Sequence, residues 1–252
     1  MQVNFNDLAR SLRKLYADFY ESYHSYLGLL LGILLSLLMG AFLVNAFGEL
    51  LEELRDKELV RFDTSVAGPV HALRSDGLTN IMLVVTWMGD RTAYIIFGVL
   101  LFIIFYLRYR SFIFPLQTSM VLLVAGGLNR WLKSWINRPR PAAEHLAEAG
   151  NMSFPSGHSM SAIAFYGFLI YLVWRLVDTT WLRWTLSILL SILILSIGLS
   201  RVYLGVHYPS DVLAGFAAGG ACLAVFIAIF TFVRFHYARK GKEPQVTADE
   251  QS

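Results

Sequence analysis

This chain of 252 residues contains one cysteine and few charged side chains. Cys222 has no partner for an intramolecular disulfide, and a single thiol in an apolar stretch argues against a thiolate metal site. Only 15% of the residues are charged, whereas soluble domains carry roughly a quarter. The formal net charge of +3 gives little support to nucleic-acid binding. These shortages exclude an ordinary soluble domain and a disulfide scaffold.

Apolar residues, in contrast, make up 56% of the chain and come in long runs. A membrane-spanning helix needs about 20 mostly apolar residues. Six segments qualify, which predicts an all-α polytopic membrane protein with six transmembrane helices. The predicted spans are 27–47, 93–107, 112–132, 158–174, 182–199 and 212–233. The second is short, and the apolar stretch 78–88 before it either extends it or forms a half-helix.

The spans predict three parts of the chain. Residues 1–26 are predicted to form a cytoplasmic N-terminal segment, residues 27–233 a membrane domain, and residues 234–252 a cytoplasmic polar tail. Charged residues alternate with leucines over 49–91, which predicts interfacial helices in the first outer loop.

The orientation prediction depends on basic residues in the flanking loops. Lys and Arg divide almost equally between the two sides, so their number alone decides nothing. The short basic loop 108–110 and the basic tail favour both termini inside. The segments 133–157 and 201–211 then face outward.

Three polar clusters stand at the ends of these spans on the same predicted side. They are KSWINRPRP over 133–141, FPSGHS over 154–159, and SRVYLGVHYPSD over 200–211. Ionisable residues at membrane depth are costly and usually functional. We therefore expect the three clusters to form one site.

The first two clusters have the residues of a phosphate-binding site. Lys133, Arg140 and Arg201 supply positive charge, and arginine grips phosphate oxygens bidentately. Ser156 and Gly157 precede a predicted helix, whose first N–H groups and dipole favour an anion. Ser156 adds a hydroxyl donor, and Gly157 lets the backbone approach closely.

Histidines supply the reactive groups. His207 and Asp211 are four residues apart, which on a helix would bring them to one face, although Pro209 lies between them. A carboxylate bonded to one ring nitrogen leaves the other free to attack. His158 is then available to protonate the leaving oxygen. No metal is required, because the cationic side chains stabilise the transferring phosphoryl group.

The ordered motifs resemble those of the type 2 phosphatidic acid phosphatase (PAP2) superfamily. Lys-x6-Arg-Pro begins at Lys133, Pro-Ser-Gly-His ends at His158, and Ser-Arg-x5-His-x3-Asp ends at Asp211. Each motif alone is weak, but the ordered triplet on membrane helices is highly specific. The resemblance covers roughly 63–220 and implies six spans with the site at the outer face.

The resemblance also implies a role for each motif residue. His207 becomes a phosphohistidine, Asp211 supports it, and His158 protonates the leaving group. The implied phosphate-binding residues are Lys133, Arg140, Ser156, Gly157 and Arg201. No metal or other cofactor is implied.

Size and layout are similar to those of bacterial phosphatidylglycerophosphatases and undecaprenyl pyrophosphate phosphatases. The expected substrate is a lipid phosphate or pyrophosphate: undecaprenyl pyrophosphate, phosphatidylglycerophosphate or phosphatidic acid. The expected location is a bacterial cytoplasmic (inner) membrane, with the site on its extracytoplasmic side. Two alternatives stay open: a lipid phosphotransferase using the same phosphohistidine, and a non-catalytic transporter or binding protein for anionic lipids.

Residues outside the motifs receive simpler interpretations. Arg138 is interpreted as an interfacial anchor, the commoner role of a basic residue at the end of a span. A lid formed by Asp63, Arg74, Asp90 and Arg91 is a further hypothesis. The four histidines outside the motifs are interpreted as surface or interfacial residues.

Overall fold

The computed structural model describes the backbone of residues 5–56, 58–148 and 150–240 and the side chains of 26–56, 58–108, 110–148 and 150–236. Within these ranges the chain is helical and has no β-strand, so the all-α prediction is confirmed. The helices are α1 (Phe5–Arg55), α2 (Leu59–Ala72), α3 (Asp76–Trp87), α4 (Arg91–Tyr109), α5 (Ile113–Ile136), α6 (Gly157–Leu176), α7 (Thr180–Tyr203) and α8 (Pro209–Lys240).

Five helices contain stretches long and apolar enough to cross a membrane. These stretches are Tyr26–Arg55, Arg91–Arg108, Gly157–Leu176, Thr180–Tyr203 and Pro209–His236. They coincide with five of the six predicted spans. The remaining predicted span, 112–132, corresponds to α5, which has 24 residues but carries polar residues such as Gln117, Asn129 and Arg130. The chain is a membrane protein with several apolar helices.

The first predicted outer loop contains two separate helices. Helix α1 continues to Arg55, and α2 and α3 follow it. Ser75 caps α3 by accepting a hydrogen bond from the Leu78 N–H at 3.4 Å. The stretch 78–88 therefore belongs to its own helix and does not extend α4. The interfacial position of α2 and α3 stays a prediction.

The junction between α3 and α4 requires a glycine. A Cβ atom on Gly89 would lie 2.8 Å from Cγ2 of Ile197, which is closer than real Cβ contacts allow. The tight turn brings the start of α4 against α7. The residues that begin α4 are consequently held close to the buried end of α7.

The predicted polar loop after the third span is shorter than expected. Helix α5 continues through Lys133 to Ile136 and ends at Asn137, which has the left-handed φ of 53°. Asparagine tolerates this conformation, which closes a helix. Lys133 thus lies on the last turn of a helix and not in the loop.

The chain divides into two compact units, Met1–Leu38 with Val225–Ser252, and Met39–Ala224. In the first unit the rings of Tyr26 and Phe235 meet edge to face, with centroids 4.9 Å apart. The second unit contains all three motifs. Its core is an apolar cluster shared by α4, α6 and α7: Tyr94, Ala162, Phe165, Tyr166, Ile194 and Ile197.

Glycines allow α8 to approach α6 within the second unit. A Cβ atom on Gly215 would lie 2.6 Å from the Ser156 carbonyl oxygen. A Cβ atom on Gly219 would lie 2.5 Å from the Met160 carbonyl oxygen. Small residues at such crossings let two backbones touch, a common device in membrane helix packing. The approach also sets the start of α8 beside the start of α6.

Candidate active site

The three motifs meet because they occupy matching ends of successive helices. The first motif begins at the end of α5, the second at the start of α6, and the third joins the end of α7 to the start of α8. The Ser156 N–H donates to the Asp211 carbonyl at 2.9 Å. The Lys133 ammonium donates to the carbonyls of Met152 and Ser153 at 2.9 and 3.2 Å. The structure thus brings the clusters together, as the sequence predicted.

His207 stands between a carboxylate and a guanidinium. It is 3% exposed, and its Nδ1 lies 3.3 Å from Oδ2 of Asp211. On the other side, Nη1 of Arg140 lies 3.3 Å from its Nε2. Arginine only donates hydrogen bonds, so Nε2 is the acceptor and Nδ1 carries the proton that goes to Asp211. The contacts assign the tautomer whose unprotonated Nε2 faces a cation.

Positive charge surrounds this imidazole. Burial holds the pKa of His207 well below its ordinary value, and the charges of Lys133, Arg140, Arg201 and His158 lower it further. An added proton would enter a buried, already cationic site. His207 is therefore neutral at neutral pH, which is the form that attacks as a nucleophile.

Asp211 is held by a second network, whose two carboxylates are buried and whose arginine is largely buried. Nη1 of Arg138 donates to its Oδ1 at 2.6 Å, and Nη2 of the same guanidinium donates to Oδ2 of Asp63 at 2.7 Å. Ser210 donates to Asp63 through both its backbone N–H and its hydroxyl. The Arg138 guanidinium also lies over the Tyr208 ring, 4.0 Å from its centroid. Arg138 is thus a bridge between two buried carboxylates, and its interpretation as an interfacial anchor is replaced.

Each of the predicted phosphate-binding cations donates some of its hydrogen bonds to other groups of the protein. Lys133 gives two of its three N–H donors to backbone carbonyls. Arg140 donates to the carbonyls of Gly150 and Val206. Nη1 of Arg201 donates to the Thr86 hydroxyl at 2.6 Å, while its Nε is buried with no hydrogen-bond partner. A buried N–H group without an acceptor is costly, and a phosphate oxygen is the acceptor it would suit.

The start of α6 packs closely against α5 and has a serine as its N-cap. Ser156 is the N-cap, and its hydroxyl oxygen accepts from the Ser159 N–H and hydroxyl at 3.4 and 3.0 Å. Its own hydroxyl proton is left to donate. A Cβ atom on Gly157 would lie 2.9 Å from Oδ1 of Asn129. Gly157 thus makes room for a buried side chain of α5.

His158 lies on the first turn of α6. Its Nε2 is 2.7 Å from Oδ1 of Asp90, the residue that precedes α4. This hydrogen bond lowers the pKa of Asp90, against the raising effect of partial burial. Asp90 is therefore a carboxylate at neutral pH.

Several site residues were not assigned to the site from the sequence. The sequence hypothesis groups Asp63 and Asp90 with a lid, and the structure shows that their carboxylates contact Arg138 and His158. No sequence pattern indicates that Thr86 belongs to the site, because an isolated threonine in an apolar helix is common. The doubled Arg-Pro in the first motif was the available signal for Arg138. Arg74, also grouped with the lid, donates to the carbonyls of Tyr203 and Glu144.

Comparisons with known proteins identify a related family. The PAP2 superfamily model matches residues 114–235. Phosphatidylglycerophosphatase B of Bacillus subtilis (strain 168) is 42% identical over 104 residues, which cover 40% of this chain and 51% of that protein. The lipid A 1-phosphatase of Rhizobium etli is 33% identical over 111 residues, covering 39% and 43%. The chain thus spans about half the length of these curated relatives.

A solved structure extends the likeness in fold. The crystal structure of the transmembrane PAP2 type phosphatidylglycerolphosphate phosphatase from Bacillus subtilis superimposes with a TM-score of 0.69. The identity is 26%, and the match covers 82% of this chain and 98% of that one. All three motifs lie within the family match, and Arg140 and Asp211 from two of them contact His207. Residues 114–235 of this chain belong to the PAP2 superfamily.

Proposed function

We propose that this protein is a lipid phosphatase that hydrolyses a lipid phosphate or pyrophosphate at His207. The observation that carries the proposal is a buried, neutral imidazole among cations. Its free Nε2 faces Arg140, so a phosphate bound by that guanidinium would place phosphorus near the attacking nitrogen. Clustered cations destabilise a protein when no anion is bound, because they repel one another. A bound phosphate dianion would be stabilised by them.

The reaction takes two steps. Nε2 of His207 attacks phosphorus, the bond from phosphorus to the lipid oxygen breaks, and His158 protonates that oxygen as it leaves. Water then attacks the phosphohistidine, and His158 accepts a proton from the water. The bond from phosphorus to nitrogen breaks, which releases phosphate and restores His207. Asp211 holds the Nδ1–H of His207 throughout.

The relatives support the substrate class. Their names place phosphatidylglycerophosphate and the 1-phosphate of lipid A among the substrates of related proteins. These molecules share a phosphate at the end of a membrane lipid. The proposed phosphate-binding residues would bind that shared phosphate. Phosphatidylglycerophosphate, phosphatidic acid and undecaprenyl pyrophosphate are therefore the substrates to test first.

We also propose that α5 spans the membrane as a sixth helix, with both termini in the cytoplasm of a bacterial cell and the site outside. Its 24 residues correspond to about 36 Å of helix, enough to cross the apolar layer. Truncated fusions to alkaline phosphatase, which folds only outside the cytoplasm, test this topology. The fusion after residue 147 should be active and the fusion after residue 240 inactive. The reverse pattern would contradict the orientation.

Replacing His207 with alanine should abolish phosphate release, because the proposed reaction passes the phosphoryl group through this imidazole. Purified protein is assayed for free phosphate with each of the three lipids. A loss of at least about 10³-fold is expected, since both steps pass through this residue. The matched control is His236→Gln, an exposed histidine of α8 that should leave the rate unchanged.

The same assay separates the remaining alternatives. Near-normal turnover by the His207→Ala variant would contradict the proposed mechanism. Phosphate recovered on a lipid or sugar acceptor, with little free phosphate, would identify a phosphotransferase. Tight binding of the lipids by the wild-type protein without any phosphate release would identify a transporter or binding protein.

The depressed pKa of His207 predicts an acid limb of kcat/KM below pH 6.5. In the free enzyme the imidazole stays neutral, and hence active, until the pH falls through this lowered pKa. Removing one cation with Lys133→Met weakens the repulsion and should move the limb to higher pH. Measuring both proteins with the same lipid cancels the titration of the substrate. Identical acid limbs would show that His207 does not set the profile.

Arg138→Lys should reduce activity although it keeps the charge. A single ammonium group cannot reproduce the fork that joins Asp63 to Asp211, so Asp211 should no longer orient His207. We expect kcat to fall by about 10- to 100-fold, as for other groups that orient a reacting side chain. Arg138→Ala should also lower the unfolding free energy by about 3–5 kcal/mol, because it leaves buried carboxylates unpaired.

The matched control for this variant is Arg234→Lys, on an exposed position of α8. Activity and thermal unfolding are measured in the same detergent for the three variants and the wild-type protein. An Arg138→Lys protein with wild-type kcat would show that the bridge is not needed for orientation.

A further inference from the structure

Asp90 occupies a helix start without acting as its cap. It is the N-cap residue of α4, with the extended backbone (φ −85°, ψ 157°) that suits this position. Aspartate there ordinarily accepts a hydrogen bond from an N–H of the first turn. In this chain the Asp90 side chain makes no capping hydrogen bond. A favourable local interaction is given up, so the carboxylate must be held by something else.

The carboxylate is held by His158. Oδ1 of Asp90 accepts from Nε2 of His158 at 2.7 Å, although the two residues are 68 positions apart. The His158 side chain is 21% exposed and that of Asp90 44%. An exposed carboxylate has water as an easy alternative partner, yet its side chain is directed to the imidazole.

The contact also fixes which edge of the ring is available. A Cβ atom built on Gly89 would lie 3.0 Å from Cδ2 of His158. The edge formed by Cδ2 and Nε2 therefore packs on the junction of α3 and α4. The opposite edge, which carries Nδ1, is turned away from that junction.

We propose that Asp90 is the positioning residue of the general acid: it holds Nε2–H of His158 and so presents Nδ1–H to the leaving oxygen of the substrate. This inference rests on the proposed function, and it adds a residue that lies outside the three motifs and outside the family match. Asp90 acts through His158 and need not touch the substrate.

The proton balance follows from this arrangement. In the first step the bond from phosphorus to the lipid oxygen breaks, its electron pair stays on that oxygen, and the proton on Nδ1 of His158 moves to it. The alcohol leaves, and His158 is left neutral with its remaining proton on Nε2, bonded to Asp90. In the second step the bare Nδ1 takes a proton from the attacking water, which restores the imidazolium.

Other charges also act on His158. The cations Arg201 of α7 and Arg140 of the loop before α6 reach it electrostatically, and it is close enough to His207 for their charges to interact. Among these groups Asp90 carries the only negative charge directed at the ring in the described part of the chain. The carboxylate therefore offsets two guanidinium groups and stabilises the protonated imidazole that the first step requires.

The test compares Asp90→Asn and Asp90→Ser with the wild-type protein. Both residues are good N-caps, so a purely structural role at the start of α4 predicts wild-type activity from each. The positioning role predicts a fall in kcat/KM for a lipid phosphate of about 10- to 100-fold, within the 10²- to 10⁴-fold that a general acid contributes. The alkaline limb of kcat/KM should also move to lower pH, because the imidazolium loses its anionic partner. The control variant is Asp178→Asn, a fully exposed carboxylate between α6 and α7.

A second substrate separates positioning from misfolding. In para-nitrophenyl phosphate the leaving phenolate needs no proton, so kcat/KM for this substrate should fall far less in both Asp90 variants. An equal loss for both substrates, or no loss and no movement of the alkaline limb, would overturn the inference. The His207→Ala variant is measured alongside. If it is inactive while the Asp90 variants behave as wild type, only this inference fails; if it stays active, the proposed function itself fails.

Discussion

The structure around the site depends on one electrostatic constraint: a neutral, buried His207 in the field of several cations. Such a cluster repels itself in a low-dielectric interior unless carboxylates are placed against it. Asp211 meets the imidazole, Asp63 meets the Arg138 guanidinium, and Asp90 meets His158. Each carboxylate comes from a different part of the chain. These carboxylates balance part of the positive charge, while Lys133, Arg140 and Arg201 leave an excess around His207.

This balance explains why the helices before the family match belong to the same unit. Helix α2 supplies Asp63, the last turn of α3 supplies Thr86, and the start of α4 supplies Asp90. Thr86 and Asp90 respectively contact Arg201 and His158, which the motifs contribute. The motif residues Arg201 and His158 are therefore held by residues that precede residue 114, where the family match begins. The segment between α1 and α4 thus holds motif residues in place, whether or not it also forms a lid.

Much of this architecture could be predicted because its causes are local. Runs of apolar residues predicted the helices, and five of six predicted spans coincide with helices apolar enough to cross a membrane. The spacing of His207 and Asp211 predicted a contact that is present at 3.3 Å. Boundaries were less predictable: α5 continues past Lys133 to Ile136, since polar residues at a helix end are compatible with both a last turn and a loop.

The sequence by itself determined the membrane class and the motif residues, because residue type and short spacing are sufficient for both. Only the tertiary structure decided which distant residues contact the site. Arg138 and Asp63 are 75 positions apart, and Asp90 and His158 are 68. A charged residue at a helix end has the same local pattern whether it caps the helix, anchors it at the interface or pairs with a distant group. Packing chooses among these roles, because it decides which opposite charge lies nearest. At Asp63 burial also removes the water that would compete for the carboxylate.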